Sequence, residues 1–508
     1  MTRDAKKQDL VVGIVGAGAM GRGIAQVAAT GGCRVLLFDA KDGAAGEARE
    51  FIQGMLKRAV EKGRMEQADA DGAMNRIEVI GGIADLAPAD AVVEAIIEDM
   101  DIKRTVFAEI EQAIADDAVL ASNTSSLSVT RIAAACEKPE RVAGFHFFNP
   151  VPLMPLVEVI SGVKTDPWVA DFLMELGERM GRQPVRVADA PGFLVNQVGR
   201  GYTIEAAHLA SEGVAAFEDV DRIMRDAAGF RMGPFELLDL TALDVTHPAT
   251  VEIYRQYFDE PRYRPSTLMD NRLQAGLLGR KVGQGFYAYA DGKQAAPEEA
   301  APPTFDGGKF WIDASLEDAH QALKGIVEAA GGDVDGGAEP AADSVILLTP
   351  LGDDATASAV ERGFDETRTL AVDALLGFDK RRTLMKTPVT DEDAARKAHA
   401  VLAADGTPVS VIRDSAGFVA QRIIAMIANI GASVAQQGIA APDDIDRAVK
   451  LGLAYPHGPL GFADTVGPAR LLAVLEGIHR CTGDPRYRPN PWLRRRAQLG
   501  VSALTPEA

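Results

Sequence analysis

The sequence predicts an α/β domain built on a doubly wound parallel sheet, then an all-α domain, a reduced α/β domain and a second copy of the all-α domain. Three observations predict it. Strand-like and helix-like segments alternate through the first 160 residues, the pattern of parallel βαβ units. From Val195 to about Gln256 the pattern is mostly helical, with few strand signals. Three stretches then recur at a fixed offset of 225 residues, with no insertion among them: DAPGFLVNQ at 189–197 with DSAGFVAQR at 414–422, EDVDRIM at 218–224 with DDIDRAV at 443–449, and MGPFELLDL at 232–240 with HGPLGFADT at 457–465. PRYRP at 261–265 returns at 485–489. Agreement at one offset over such a stretch reads as a duplicated helical domain.

The elements follow in order. Leu10–Val15 is a short apolar run that ends in glycines, and Gly18–Thr30 reads as a helix stopped by Gly31 and Gly32. Arg34–Asp39 is a second strand, and Gly43 to about Lys62 a long helix. Asp90–Ile97, Val119–Ser122 and Val142–Phe147 are further strands. The stretch ADGKQAAPEEAAPP, rich in Ala, Pro and charge, reads as a linker. SVILLTPLGDDA at 344–355 reads as a strand, a turn and a helix without a glycine fingerprint. The expected division is 1–187, 188–290, a linker at 291–304, 305–411 and 412–508.

Composition limits the partners. The 508 residues suggest three or four domains at roughly 100–200 residues each. A net charge of -20 argues against nucleic acid and anionic membrane as partners, since both need a basic surface. Cys33, Cys136 and Cys481 are scattered, odd in number and without metal spacing, so no metal is expected and the thiols read as free. The start carries no signal-peptide pattern, and no run of 18 apolar residues spans a membrane. A cytoplasmic location is expected.

Gly16-Ala17-Gly18-Ala19-Met20-Gly21 is a GxGxxG motif that follows an apolar strand and opens a helix. Gly16 permits the tight turn, Gly18 lets backbone approach a pyrophosphate, and Gly21 lets helix pack on strand. Asp39 ends the second strand, where a carboxylate accepts from a ribose 2′-hydroxyl and repels a 2′-phosphate. NAD is therefore favoured over NADP, with Lys41 nearby as a counterweight. This is a Rossmann-like dinucleotide domain; the alternative is a fold of this kind that has lost its ligand.

Oxidation of an alcohol needs a base for the hydroxyl proton, and histidine has a suitable pKa. His146 sits near the end of the strand VAGFHFF, and Glu158 lies alone in the apolar run LVEVI. A lone Glu between valines is costly to bury unless paired. The intervening NPVPLMP is a turn that brings the two segments side by side. A histidine on an apolar strand is otherwise a core residue; Glu158 favours the catalytic reading. Asn123-Thr124-Ser125-Ser126 places small hydroxyls at the sheet's carboxyl edge, where Ser125 or Ser126 also suits a helix cap.

These residues together resemble the short-chain L-3-hydroxyacyl-CoA dehydrogenase family. The strings that carry the resemblance are VGIVGAGAMGRGIA, VVEAIIEDMDIK, ASNTSSLSVT, GFHFFNPVPLMPLVEVI, DAPGFLVNQ and GRKVGQGFYAY, from residue 9 to about 290. The resemblance implies that His146 is the catalytic base and Glu158 its partner. It implies that Ser125 lies near the substrate hydroxyl and nicotinamide, and that Asn196 binds the acyl oxygen. Glu98, Lys103, Asn149 and Lys281 match positions lining the NAD site. Lys62 matches a lysine that meets CoA phosphates, on a stretch made basic by Lys57, Arg58 and Arg64. In the second copy Gln421 stands where Asn196 stands in the first and nothing corresponds to Lys281, so one active site per chain is expected.

The length of the chain resembles the long bacterial branch, which includes 3-hydroxyadipyl-CoA dehydrogenases of phenylacetate degradation and 3-hydroxybutyryl-CoA dehydrogenases; the resemblance favours the former. In family dimers the helical domains pair between subunits. The tandem copies are expected to imitate that pairing within one chain, and a homo-oligomer stays open. One rival is a 3-hydroxyacid dehydrogenase with a lysine base, for which Lys164 and Lys281 are available. The rival of another class is a catalytically silent CoA- or dinucleotide-binding protein.

Overall fold

The computed structural model describes residues 3–295 and 297–507. Met1 and Thr2 at the expected start, Ala296 in the expected linker and Ala508 in the expected second helical copy lie outside the described residues. The chain divides into two units, Met1–Asn196 with Gln437–Leu453, and Gln197–Gln436 with Ala454–Ala508.

The first unit is built on eight strands: β1 Val11–Val15, β2 Arg34–Phe38, β3 Ile77–Val79, β4 Ala91–Glu94, β5 Val119–Ser122, β6 Val142–Phe147, β7 Leu156–Ser161 and β8 Gln183–Ala188. Their order across the sheet is β3-β2-β1-β4-β5-β6-β7-β8. Alternate residues serve two cores. Val12 and Ile14 join Ile24, Val35, Leu37 and Phe145 on one face; Val11 and Val15 join Leu36, Val92, Phe107 and Leu120 on the other. Burial on both faces is why these strands read as continuous apolar runs. Helices Ala19–Thr30, Ala44–Glu61, Gln67–Asn75, Met100–Ala113 and Pro167–Arg179 supply the crossovers and cover.

The sheet is parallel except at one strand pair, where the expected turn sets the His146 and Glu158 segments side by side. β7 runs antiparallel to β6, and β8 runs parallel to β7. The connection 148–155 is too short for the crossover that a parallel neighbour needs. β8 is an edge, and the segment Gln437–Leu453, expected within the second helical copy, covers it: Ala188 N donates to Ile439 O at 2.8 Å and Arg447 to Pro184 O at 3.1 Å. A covered edge has fewer unpaired backbone groups to offer another strand.

The second unit contains the first helical copy from Gln197, the second copy apart from Gln437–Leu453, and a second sheet. The expected linker is not free chain. Ala288–Ala290 (β9) pairs antiparallel with Lys293–Ala295 (β10). Arg222 donates to Pro297 O at 2.6 Å, and Arg381 holds both oxygens of Glu299 at 2.7 and 2.9 Å. Ala/Pro composition hid these ties because their partners are remote in sequence. The second sheet consists of β11 Lys309–Ile312, β12 Asp333–Asp335, β13 Val345–Leu348, β14 Thr369–Val372, β15 Arg382–Lys386 and β16 Val409–Ile412, ordered β12-β11-β13-β14-β15-β16. It repeats the design of the first: parallel strands, one antiparallel neighbour (β14 with β15), then a last parallel strand.

The two helical copies pair. Helix Val195–Ser211 meets helix Ala420–Gln436 so closely that a Cβ on Gly201 would lie 3.1 Å from Ile427 Cα. Arg422 is buried between Glu205 at 2.8 Å, Glu212 at 2.6 Å and the Tyr487 hydroxyl at 2.8 Å. The repeated PRYRP segments also face one another. Arg488 pairs with Glu260 at 2.6 Å, Arg264 with Asp484 at 3.6 Å, and Arg262 donates to Arg488 O at 2.9 Å. The exchange is reciprocal, as across a local two-fold axis.

Candidate active site

Because β1, β4, β5 and β6 are parallel, their carboxyl ends lie along one rim of the first sheet. The strand order reverses direction between β1 and β4, and a crevice opens outside such a point. A cleft of about 660 Å³ lies there, lined by Gly16, Gly18, Ala19, Met20, Asp39 and Ile96 among others. Gly16 and Gly21 sit where a side chain has no room. Gly16 has φ +102°, and a Cβ there would lie 2.5 Å from Ala95 O; one on Gly21 would lie 1.7 Å from Gly16 O. A Cβ on Gly18 would meet nothing within 4 Å, so backbone borders open space at that point. Helix Ala19–Thr30 starts there without a side-chain cap, which leaves its N–H groups for an anion. Asp39 accepts from Ala17 N at 2.7 Å and Lys41 N at 2.9 Å, which fixes its carboxylate at the cleft wall. These groups fit a dinucleotide.

At the far side of the rim, the β6–β7 register sets His146 opposite Glu158. Directly opposed residues of an antiparallel pair share a face. His146 Nδ1 lies 2.6 Å from Glu158 Oε2, and both side chains are buried. A carboxylate only accepts, so Nδ1 carries the hydrogen and the lone pair is on Nε2. The other oxygen of Glu158 accepts from Leu194 N at 3.2 Å and Val195 N at 2.9 Å. The turn that aims these two N–H groups is left-handed at Gly192 (φ 73°) and Phe193 (φ 50°), which explains the glycine in DAPGFLVNQ. The rings of Phe148 and Phe193 lie 4.6 and 5.8 Å from the imidazole.

The 123–126 loop lies between cleft and imidazole. Asn123 Oδ1 accepts from Phe147 N at 2.8 Å, tying the loop to the His146 strand. Glu98 Oε1 takes Thr124 Oγ1 at 2.7 Å, Ser125 N at 2.9 Å and Ser126 N at 3.1 Å. Ser125 is exposed, and its carbonyl accepts from Asn196 Nδ2 at 3.3 Å. Burial tends to raise the Glu98 carboxyl; Lys103 and these hydrogen bonds outweigh it and hold the carboxyl below its ordinary range. The helix-cap reading of this loop belongs to Ser128, which accepts from Arg131 N at 3.3 Å.

Other expected residues sit differently. Lys103 does not reach the cleft: its ammonium is buried between Glu94 at 2.6 Å and Glu98 at 3.3 Å. Asn149 is exposed after β6, and Lys62 ends helix Ala44–Glu61, exposed with Lys57, Arg58 and Arg64. Lys281, in the second unit, is paired with Asp244. The sequence reading missed Glu94, fully buried at the end of β4. The signal was present: AVVEAII encloses a lone carboxylate, as LVEVI does.

The second sheet carries none of this chemistry. At the place of the imidazole–carboxylate pair stand Asp373 and Thr383: Thr383 pairs with Ser410, 225 residues after the Val185 that pairs with Glu158, and Asp373 N donates to Thr383 O at 3.0 Å. Gln421 is buried; it accepts from Gly352 N at 2.8 Å and donates to Pro350 O at 3.1 Å and Asp373 at 3.0 Å, filling the space beside its turn.

The family descriptions "3-hydroxyacyl-CoA dehydrogenase, NAD binding domain" and "3-hydroxyacyl-CoA dehydrogenase, C-terminal domain" match residues 11–190 and residues 192–289 and 417–504. The chain belongs to the 3-hydroxyacyl-CoA dehydrogenase family. It is thus an NAD-dependent oxidoreductase of that family, with its C-terminal domain present twice. The 3-hydroxyadipyl-CoA dehydrogenase of Escherichia coli K12 is 37% identical over 489 residues, 96% of this chain and 97% of that protein. A 3-hydroxybutyryl-CoA dehydrogenase of Mycobacterium tuberculosis H37Rv is 39% identical over 280 residues, 55% of this chain and 98% of its own length. The crystal structure of 3-hydroxybutyryl-CoA dehydrogenase from Escherichia coli K12 matches with a TM-score of 0.85 at 35% identity, covering 97% of this chain and 99% of that one. Among the described residues, no helix of this dehydrogenase is long and apolar enough to cross a membrane.

Proposed function

We propose that the chain oxidises the C3 hydroxyl of an L-(S)-3-hydroxyacyl-CoA to the 3-ketoacyl-CoA. The observation that carries the reading is the buried His146–Glu158 pair, whose geometry leaves the Nε2 lone pair available. His146 takes the hydroxyl proton at Nε2. Glu158 holds the tautomer beforehand and stabilises the imidazolium afterwards. Ser125 and Asn196, joined by a hydrogen bond, orient the substrate oxygens. Gly16, Gly18, Ala19, Met20 and Asp39 hold NAD, Gly21 supports the turn beneath it, and NAD when bound supplies the hydride acceptor. Glu98 and Lys103 act on the serine loop. Asn149 adds to the cofactor site and Lys62 meets the CoA phosphates; for Lys281 the resemblance alone supports a place at the cofactor.

The preferred substrate in this proposal is 3-hydroxyadipyl-CoA, because the relative of that name matches over nearly the whole chain. A second reading, 3-hydroxybutyryl-CoA, draws on the relatives of that name that match the first 55%. We place one active site on each chain, since Asp373 and Thr383 stand where His146 and Glu158 stand in the first sheet, and neither offers an imidazole. The cytoplasmic location and the five-part division read from the sequence stand as proposals with it.

The test is the rate of NADH appearance with both substrates, for wild type and His146→Gln. Turnover by wild type with a fall of about 10²–10⁴-fold in the variant supports the mechanism, and the ratio of kcat/KM values selects the substrate. Failure of wild type on both substrates, with NAD and with NADP, sinks it. Equilibrium titration with NADH checks the stoichiometry, and two sites per chain would contradict the single-site reading.

A further inference from the structure

We propose that Glu94 is a positioning residue that couples the wall of the dinucleotide cleft to the loop bearing Ser125. The inference rests on the reading above, in which that cleft takes NAD and Ser125 orients the hydroxyl.

Sheet register puts Glu94 at the junction. It is the last residue of β4, opposite Val15 of the fingerprint strand on one side and Ser122 of the loop strand on the other. Its carboxylate is wholly buried, a position tolerated only with full hydrogen bonding. One oxygen, Oε1, accepts from Ile96 N at 2.7 Å and Lys103 Nζ at 2.6 Å. The other, Oε2, accepts from Ser122 Oγ at 2.7 Å.

Each contact leads to a different part of the site. Ile96 lines the cleft, so the Ile96 bond fixes the backbone that faces the nucleotide. Lys103 continues to Glu98 at 3.3 Å, and Glu98 gathers Thr124, Ser125 and Ser126. Ser122 Oγ in turn accepts from Thr124 N at 3.2 Å. Two independent arms from one carboxylate therefore end on the same loop, while a third sets the cleft wall.

The charges support this division of labour. Two carboxylates, Glu94 and Glu98, share one buried ammonium. A neutral residue at 94 would leave Lys103 to Glu98 alone and draw the ammonium toward the loop. Glutamine has one acceptor oxygen where glutamate has two, so it cannot keep Ile96 N, Lys103 and Ser122 satisfied in their present arrangement. Wall and loop would shift together.

The test uses the full chain with Glu94→Gln and Ser122→Ala, following NADH affinity by fluorescence without acyl-CoA, kcat and KM with L-3-hydroxybutyryl-CoA, and the melting temperature. Loss of hydrogen bonds to a buried charge predicts that Glu94→Gln weakens NADH binding by about tenfold and lowers kcat by about tenfold or more. Ser122→Ala cuts only the loop arm, so it should keep NADH affinity within about twofold and lower kcat by about tenfold. A Glu94→Gln enzyme that melts earlier but keeps wild-type NADH affinity and kcat has lost stability alone, which overturns the proposal. If Glu94→Gln does not fold, Ser122→Ala decides, and an unchanged kcat overturns it. A wild type that binds NADH yet oxidises no 3-hydroxyacyl-CoA defeats the reaction assignment instead, and the NADH titrations still decide the cleft arm.

Discussion

Replacing Glu158 with glutamine probes the acid–base pair with little change of volume. Glu158 Oε1 receives two backbone N–H groups, from Leu194 and Val195, and Oε2 receives His146 Nδ1. Glutamine offers one oxygen. The two backbone donors cannot turn away, so they hold that oxygen and the NH₂ group then faces His146. Two N–H groups cannot share a hydrogen bond, so Nδ1 must become an acceptor and Nε2 must carry the proton. In that tautomer Nε2 has no lone pair for the substrate hydroxyl. The lost charge-assisted bond to the imidazolium is worth about 1.5–3 kcal/mol, or about 10–150-fold in rate. Reversal of the tautomer adds to it, for a total fall in kcat of about 10²–10⁴-fold. Stability should change little, since neutral glutamine leaves no buried charge unpaired. The assay is NADH appearance with L-3-hydroxybutyryl-CoA, alongside the melting temperature and NADH affinity. A Glu158→Gln enzyme with kcat within about tenfold of wild type would refute the tautomer argument, because that residue is the whole of the difference.

Three further outcomes are expected. Gly21→Ala should unfold or fail to bind NADH, because its Cβ collides with Gly16 O at 1.7 Å; Gly18→Ala should melt like wild type and lose NADH affinity, because its Cβ enters open space that the cofactor needs. Equal melting temperatures for the two variants would contradict this. Lys103→Met should move the acid limb of kcat/KM to higher pH. Burial then acts on Glu98 without the cation that offsets it, and a carboxyl depressed on folding stabilises above its unfolded pKa and loses that contribution as pH falls through its folded pKa. An acid limb that stays in place removes Lys103 from that role. Arg422→Met should lower the unfolding free energy by about 3–5 kcal/mol, since Glu205 stays buried and loses its 2.8 Å partner, keeping Arg486 at 3.5 Å. A loss below about 1 kcal/mol in denaturant titration would place the pairing energy of the two helical copies elsewhere.

Local periodicity determined much of this protein. Strands Val119–Ser122 and Val142–Phe147 fall where the apolar runs predicted them, and helix Ala19–Thr30 begins one residue after the expected Gly18. GxGxxG, a lone histidine and a lone buried glutamate marked the two ends of the site because each is locally anomalous: too many glycines, or a charge without a partner. The fixed repeat offset foretold the duplication, and the structure adds that the two helical copies pair through Arg422 and the PRYRP segments. Tertiary structure alone decided what depends on remote partners. The antiparallel β7 follows from a short connection, and only its register could put Nδ1 2.6 Å from Glu158. Lys103 looked like a cofactor ligand until Glu94 and Glu98 enclosed its ammonium. The Ala/Pro stretch looked free until Arg381 held Glu299. Propensity and patterning act over a few residues and can be read along the chain. Charge pairing and hydrogen bonding act through space, so those partners are known only once the chain is folded.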